Sequence, residues 1–211
     1  MINDLLKKYE ARKAEIKKRL DEFRKIKDME DEIIFAELAF CLCTPQSKAT
    51  TCWNAVQALV KNNLLYSGKK EQIKPFLNAV RFNENKSNYI IEARKMFSDG
   101  NKLNVKKFVG SSENPHKLRE WLAENVSGMG MKEASHFLRN IGIGNGLAIL
   151  DVHVLENLKR YGVIEDLPKN LNKKKYLEIE NRMKKFAEDT GIPIDELDLL
   201  LWSEETGFVF K

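Results

Sequence analysis

Residues 126–140 read VSGMGMKEASHFLRN, and this stretch joins two amphipathic segments through a pair of glycines, Gly128 and Gly130. Apolar side chains recur at helical spacing on both sides of the pair. They are Leu118, Trp121, Leu122 and Val126 before the turn, and Ala134, Phe137, Leu138 and Ile141 after it. Glycine readily adopts the positive φ or the close backbone approach that a tight turn needs. The pattern predicts two helices joined by a hairpin over about residues 115–141, although an ordinary helix–helix turn fits the spacing equally well.

The rest of the chain has the same helical period and predicts an all-α fold. Apolar positions recur through residues 2–23, where Lys, Arg and Glu fill the spaces. Further helices are expected at about 31–43, 47–62, 71–80, 86–98, 115–125, 131–141, 151–160, 172–189 and 194–203. No sustained alternation of period two indicates a strand. We therefore expect many short helices in two lobes around a cleft, within a single compact unit over residues 1–211.

Composition limits the class of protein. A chain of 211 residues with 43% hydrophobic and 32% charged residues is typical of a globular protein with a sizeable core. Its formal net charge of +5 favours a polyanionic partner but falls short of the strongly basic character of a dedicated nucleic-acid binder. Lysines occur throughout the first twenty residues without an apolar block, so we expect no signal peptide or membrane span and an intracellular, cytoplasmic protein.

Three cysteines lie close together, at positions 41, 43 and 52. An odd and crowded set does not form a disulfide framework, which favours a reducing compartment. Three thiolates also cannot supply the four ligands of an iron–sulfur cluster. A zinc site would need an added histidine, whereas AELAFCLCTPQ (residues 36–46) reads as a buried helix in which cysteine is a small apolar residue. We therefore expect no metal site at the cysteines.

Lys132 is the first candidate for chemistry. It falls on the first turn of the helix after the hairpin, where the helix dipole disfavours a cation and free backbone amides favour an anion such as phosphate. The dipole and partial burial would favour a neutral amine, which can attack a carbonyl or anomeric carbon and form a Schiff base. The simpler alternative is a lysine that contacts phosphate or faces solvent.

Asp151 follows Lys132 by nineteen residues and separates the apolar run 147–150 from the next helix. This position predicts a helix N-cap. A carboxylate beside apolar residues is also suited to stabilise positive charge that develops on a sugar ring. The two roles are compatible, and His153 is expected to support the same helix through hydrogen bonds.

The hairpin, the nineteen-residue gap and LDVHVL (150–155) together resemble the helix-hairpin-helix DNA glycosylase superfamily. The segments CLCTPQSKAT (41–50) and LWSEETGFVFK (201–211) are similar to the compact 8-oxoguanine DNA glycosylase/AP lyases of archaea and some bacteria. The resemblance covers most of the chain. It implies that Lys132 and Asp151 are catalytic in excising 8-oxoguanine through a Schiff base and nicking the strand by β-elimination. Lysine at 132 departs from monofunctional members, and the missing iron–sulfur cysteines depart from endonuclease III-like relatives.

The resemblance also implies contacts to the substrate. The target nucleotide must leave the base stack, and Gln46 would fill the space that it vacates. Phe82 and Trp202 are candidate aromatic platforms for the base, and His136 lies one helical turn beyond the catalytic lysine. Lys211 ends an apolar tail and would distinguish 8-oxoguanine from guanine. A loop role for Gln46 and core roles for Phe82 and Trp202 remain open.

Contacts to the DNA backbone are expected at the hairpin. Amides around Gly128 and Gly130 would face phosphates, and relatives often hold a cation at hairpin carbonyls, here those of Glu124, Val126 and Met129. Further phosphate contacts are expected from Lys48, Lys86 and Arg139. The expected partner is double-stranded DNA containing 8-oxoguanine, bound by a monomer that requires no cofactor and does not associate with membranes.

Two other functions fit these patterns. One is a glycosylase of the same superfamily that acts on oxidised pyrimidines. The other is a non-catalytic helix-hairpin-helix module, in which Lys132 only contacts phosphate. Assays of base release on different lesions separate the three.

Overall fold

The structure is a computed structural model that describes residues 2–211, and it is built almost entirely of helices. The elements are α1 (Ile2–Ile26), α2 (Asp31–Cys43), α3 (Ala49–Lys61), α4 (Leu64–Ser67), α5 (Lys70–Ile73), a 3-10 helix (Lys74–Leu77), α6 (Asn83–Met96), β1 (Ser98–Asp99), β2 (Lys102–Leu103), α7 (Val105–Val109), α8 (Pro115–Asn125), α9 (Met131–Asn140), α10 (Val152–Arg160), α11 (Lys173–Thr190) and α12 (Ile194–Thr206). The all-α prediction is confirmed. None of the helices within residues 2–211 combines the length and apolar character needed to cross a bilayer.

Short elements account for the differences from the predicted pattern. The helix expected at 71–80 is α5 followed by a 3-10 turn, because Pro75 has no amide hydrogen to continue an α-helical ladder. The antiparallel pair β1–β2 and the five-residue helix α7 were not predicted. Segments of two to five residues are too short to display a period.

Two hydrophobic cores divide the fold. The first core is formed by buried residues between Ile34 and Leu147, from α2 to α9. The second contains buried residues of α1 together with residues between Ala148 and Val209. Helix α1 packs against α12, so both ends of the chain contribute to the second core, and α9 contacts both α1 and α2. The chain crosses from one core to the other just before Asp151.

Helices α8 and α9 form the predicted hairpin and pack against each other. The side chain of Asn114 caps α8 by accepting hydrogen bonds from the amides of His116 and Lys117. In the turn, Gly128 has a φ of +80°, and an added Cβ would lie 2.2 Å from Cδ2 of Tyr89. Glycine is therefore required at 128 by conformation and by space.

Candidate active site between the two cores

A cavity of about 930 Å³ opens between the α2–α3 loop, helix α9, the start of α10 and the carboxyl-terminal tail. Most of the side chains that the sequence predicts as site residues line this one cavity. They are Gln46, Lys132, His136, Asp151, Trp202 and Lys211. Residues from both cores contribute, so the packing of the two cores sets the geometry of the cavity. A cleft that gathers titratable and aromatic groups is the usual form of a ligand site.

Lys132 lies on the first turn of α9 with its side chain 21% exposed. Its Nζ donates a hydrogen bond of 3.2 Å to Oγ1 of Thr44 and lies 3.1 Å from Oε1 of Glu133. These two partners hold the amine against the end of α2. Glu133 was missed as a site residue, although a glutamate at the third position of a helix is a known capping signal.

Glu133 also links the amine to the hairpin. Its Oε2 accepts a hydrogen bond of 3.1 Å from the amide of Gly130. The Gly130 amide is thus occupied by Glu133 in this structure, and phosphate contacts at Gly128 and Gly130 stay predictions. The cation at the carbonyls of Glu124, Val126 and Met129 also stays a prediction, and the Val126 carbonyl already accepts a bond of 3.1 Å from the Met129 amide.

Asp151 is the N-cap of α10, as the sequence predicts. Its Oδ1 accepts a hydrogen bond of 2.9 Å from the amide of Val154, and the residue is half-buried at the cavity wall. One oxygen is thus committed to the helix, which leaves the other available to the cavity. The carbonyl of His153 accepts a hydrogen bond of 3.1 Å from Nδ2 of Asn157 on the same helix, whereas its buried ring Nδ1 has no partner among residues 2–211.

The segment that carries Asp151 is fixed from behind by α8 and α11. Glu180 accepts a hydrogen bond of 2.8 Å from the Ala148 amide, and its other oxygen lies 3.0 Å from Nη2 of Arg119. Both charged side chains are almost fully buried. The buried pair holds the Glu180 carboxylate in place, and this carboxylate in turn fixes the backbone amide of Ala148.

Two cations that were expected to contact phosphate are buried instead. Arg139 is 6% exposed, and its Nη1 lies 3.0 Å from Oδ2 of Asp198. Lys86 is 3% exposed and donates bonds of 2.7 Å to the carbonyls of Cys43 and Pro45. A buried ammonium or guanidinium needs such partners in place of water, so these two expectations are wrong. Lys48 is exposed at the cavity rim, and its phosphate contact stays a prediction.

Asp198 is a further cavity residue that the sequence did not reveal, because it lies within the apolar run of α12. Burial raises the pKa of its carboxyl to about 7, while the nearby Arg139 acts in the opposite direction. The carboxyl therefore changes charge close to neutral pH, a property common in functional sites.

The Gln46 loop connects α2 with α3 and projects into solvent. Gln46 has a φ of +54°, an uncommon conformation for a residue other than glycine. Lys86 holds this loop through the Pro45 carbonyl and through Oγ of Ser47 at 3.2 Å. A strained residue held by a buried charge is typical of a functional loop.

Phe82 lies outside the cavity. It is 49% exposed at the start of α6, and the guanidinium of Arg81 lies 5.1 Å from the centre of its ring. The Arg81 amide donates to Oγ of Ser47, which keeps this loop beside the Gln46 loop. The exposed ring rules out a core role for Phe82, and its role as an aromatic platform for a base stays a prediction.

His136 is buried in the cavity wall. It is 6% exposed, and neither ring nitrogen has a hydrogen-bond partner in the described part of the chain. Burial, followed by the charge of Arg139, lowers the pKa of the ring well below its ordinary value. His136 is therefore a neutral ring that can still donate one hydrogen bond and accept another.

The carboxyl-terminal tail is docked, as its apolar residues predict. Lys211 is 8% exposed, forms an ion pair with Glu37, and places its Nζ 3.5 Å from the centre of the Trp53 ring. Burial lowers the pKa of this lysine, and the charge of Glu37 opposes the change. Phe210 stacks on Trp202 with ring centres 6.5 Å apart, which holds the indole at the cavity.

Metal ligands are not gathered in the described residues. Within residues 2–211, no group of three or more His, Cys, Asp or Glu side chains is arranged to hold a metal ion. Cys41, Cys43 and Cys52 are free thiols buried in the first core. Burial raises the pKa of Cys43 to about 12, so its thiol stays protonated near neutral pH.

A helical hairpin beside a cleft that holds a lysine amine and a helix-capping aspartate defines the class of helix-hairpin-helix DNA glycosylases. The chain matches the 8-oxoguanine DNA glycosylase family over residues 16–192 and belongs to it. The 8-oxoguanine DNA glycosylase/AP lyase of Fusobacterium nucleatum is 47% identical over 211 residues, which cover 99% of this chain and 97% of the relative.

Two solved structures share the fold. The Methanocaldococcus jannaschii 8-oxoguanine glycosylase/lyase, in complex with 15mer DNA containing 8-oxoguanine, is 35% identical with a TM-score of 0.88, covering 98% of this chain and 99% of its own. The 8-oxoguanine DNA glycosylase of Thermotoga maritima is 34% identical with a TM-score of 0.88, covering 100% and 98%. Agreement over nearly the whole of both chains shows that this chain shares its fold with both proteins.

Proposed function

We propose that this chain is a DNA repair enzyme that excises 8-oxoguanine as a glycosylase and nicks the resulting site as an AP lyase. The observation that carries the proposal is that Lys132, on the first turn of α9, and Asp151, the N-cap of α10, line the same cavity. Membership of the 8-oxoguanine DNA glycosylase family supports it. The bifunctional names of the relatives support the second activity.

In the proposed reaction, the amine of Lys132 attacks C1′ of the extruded nucleotide. The new N–C1′ bond forms as the C1′–N9 bond breaks, and the base leaves with the electron pair and a proton. The amine must first lose its own proton; the Glu133 carboxylate, 3.1 Å away, and the Asp151 carboxylate of the same cavity are the proposed acceptors. Opening of the sugar ring gives an imine, and loss of a 2′ proton then expels the 3′ phosphate.

Asp151 stabilises the positive charge that develops on the deoxyribose. A fixed carboxylate needs no reorganisation as this charge appears, because the Val154 amide already holds it in place. The hydrogen bond by which Asp151 caps α10 therefore also keeps its carboxylate in place for catalysis. Its structural and chemical roles use different oxygens.

Recognition of the base falls to groups that surround the same cavity. Trp202 offers an aromatic face, and the unpartnered nitrogens of His136 supply a donor and an acceptor that a bound base can satisfy. Lys211 reads the damaged base, in which N7 has become a donor whose hydrogen bond a main-chain oxygen of this residue can accept. Gln46 enters the duplex from the loop at the rim, and Phe82 contacts DNA outside the cavity.

The hairpin supplies the contact to the DNA backbone in this proposal. The Gly128 turn faces phosphate, with a cation at the carbonyls of Glu124, Val126 and Met129 as an accessory contact that the chemistry does not require. The protein acts on double-stranded DNA as a monomer in the cytoplasm. If several basic side chains contact phosphates, affinity for DNA falls steeply as salt is added.

The test compares lesions in one duplex sequence. Purified protein in excess is incubated with duplexes that contain 8-oxoguanine, thymine glycol or no lesion, and release of the base and strand nicking are measured. We expect release and nicking at 8-oxoguanine only. Preferred cleavage at thymine glycol would assign the chain to oxidised pyrimidines, and intact binding without release of any base would assign it to a DNA-binding module.

A further inference from the structure

A continuous path of hydrogen bonds runs along the wall of the cavity from Lys211 to Asp198. Lys211 pairs with Oε1 of Glu37, and Oε2 of Glu37 accepts a bond of 3.0 Å from Nδ2 of Asn140. Oδ1 of Asn140 accepts a bond of 3.2 Å from Nε of Arg139, whose Nη1 lies 3.0 Å from Asp198. All five residues are at most 8% exposed. The path joins α2, α9 and α12 to the tail.

Asn140 is the link that fixes the direction of this path. It is fully buried at the end of α9 between a group that only donates, the Arg139 guanidinium, and a group that only accepts, the Glu37 carboxylate. Its amide therefore has one satisfactory orientation, with oxygen towards Arg139 and nitrogen towards Glu37. A reversed amide would leave two buried mismatches, which is costly in a water-poor interior.

The tail needs such a support because residues 207–211 follow the last helix α12 and have no helical hydrogen-bond ladder of their own. Such a segment depends on side-chain contacts to keep its position. The ring of Trp53 attracts the Lys211 ammonium, but attraction to a ring face sets its direction only loosely. A charge-assisted hydrogen bond to a carboxylate sets the direction more strictly. Glu37 thus determines where the ammonium points.

We propose that Glu37 and Asn140 are positioning residues for specificity: Asn140 orients the Glu37 carboxylate, and this carboxylate anchors the Lys211 ammonium, which holds Lys211 in place at the cavity where the damaged base is read. The proposal rests on the proposed function. Glu37 and Asn140 do not line the active cavity, so they act through Lys211 rather than on the base. A preformed abasic site has no base to be read, so its cleavage does not need Glu37 and Asn140 in this role. This difference separates a positioning role from a general structural one.

The test uses the isosteric change Asn140→Asp. The carboxylate still accepts from Arg139, but the donor to Glu37 is replaced by an oxygen that can only accept. Single-turnover rates are measured on duplexes with 8-oxoguanine, with guanine, and with a preformed abasic site. We expect the ratio of the 8-oxoguanine rate to the guanine rate to fall by about tenfold, the equivalent of losing one charge-assisted hydrogen bond. Nicking at the abasic site falls much less, because no base is present to be read.

A double variant that exchanges the carboxylate and the amide between positions 37 and 140 tests whether discrimination can be restored. With Glu37→Gln added to Asn140→Asp, the glutamine nitrogen faces the new carboxylate and its oxygen can accept from Lys211. We expect this double variant to regain part of the lost discrimination. Glu37→Gln alone removes the charge opposite Lys211 and should lower the ratio in the same direction. It also serves as the test if Asn140→Asp fails to fold, which thermal unfolding reveals.

Deletion of Lys211 completes the design. Asn140→Asp should add little to the loss of discrimination caused by the deletion, because both act through one ammonium. Equal losses on 8-oxoguanine and abasic substrates, or full additivity with the deletion, would overturn the positioning role while leaving the proposed function intact. A wild-type protein that neither releases 8-oxoguanine nor nicks abasic DNA would remove the proposed function, and this inference with it.

Discussion

The hydroxyl of Tyr176 donates a hydrogen bond of 2.7 Å to the carbonyl of Ala148, three residues before the candidate catalytic carboxylate of Asp151. The same hydroxyl accepts a bond of 3.3 Å from the Leu150 amide. Tyr176 is fully buried in the second core. Helix α11, which supplies none of the residues that line the cavity, thus determines the position of the backbone that carries Asp151.

Tyr176→Phe should loosen this backbone and slow base excision. The variant leaves the Ala148 carbonyl without its side-chain donor, so we expect the free energy of unfolding to fall by about 1–3 kcal/mol. The turnover rate should fall while the dissociation constant for 8-oxoguanine duplex stays unchanged. Tyr66→Phe is the matched control, because the Tyr66 hydroxyl donates its bond of 3.3 Å to the carbonyl of the exposed residue Glu32 in the first turn of α2. A loss of stability with unchanged turnover would remove the positioning role of Tyr176.

Lys86→Met should disorganise the Gln46 loop. The change removes the donor shared by the Cys43 and Pro45 carbonyls. The Pro45 carbonyl is left unpaired, and the Cys43 carbonyl keeps only the Cys52 thiol as a donor. We expect weaker extrusion of the nucleotide, observed as a smaller fluorescence rise from 2-aminopurine placed beside the lesion. Lys95→Met, at an exposed position on the same helix, is the control. If both variants extrude the nucleotide equally well, the loop does not depend on Lys86.

Gly128→Ala should lower the free energy of unfolding more than Gly146→Ala does. Both glycines have positive φ, so each substitution costs about 1 kcal/mol in backbone strain. Only the Cβ at 128 meets another group, the Tyr89 ring at 2.2 Å. Thermal unfolding and binding to undamaged duplex measure the difference. Equal losses for the two variants would show that the turn tolerates a side chain.

Stability should depend on pH through Asp198. Burial raises the pKa of this carboxyl from its ordinary value of 3.8 to about 7. Between these values the folded protein retains a proton that the unfolded chain has released, so the free energy of unfolding decreases as pH rises through that window and levels off above it. Asp198→Asn lacks this contribution. Denaturant unfolding of both proteins from pH 4.5 to 8 provides the check: the free energy of unfolding of the wild type, relative to that of Asp198→Asn, should fall as pH rises. A rise in this relative stability would show instead that the charged pair with Arg139 dominates.

Local patterns account for the parts of this structure that could be predicted. The helix bounds around the hairpin, the N-cap role of Asp151 and the docked tail follow from period, capping residues and apolar composition within short segments. Lys86 and Arg139 were placed wrongly because a sequence shows a charge but not its burial. The bonds from Arg139 to Asp198 and from Asn140 to Glu37 join residues 59 and 103 positions apart, and no local pattern encodes such pairs.

The account depends most directly on the amine of Lys132. Borohydride reduction during incubation with an 8-oxoguanine duplex should trap one protein–DNA adduct, and peptide mass spectrometry should find the modification at Lys132. Lys132→Gln should abolish the adduct, whereas Lys117→Gln, at an exposed position on α8, should retain it. Undiminished trapping by Lys132→Gln, or an adduct at another residue in the wild-type protein, would contradict the account.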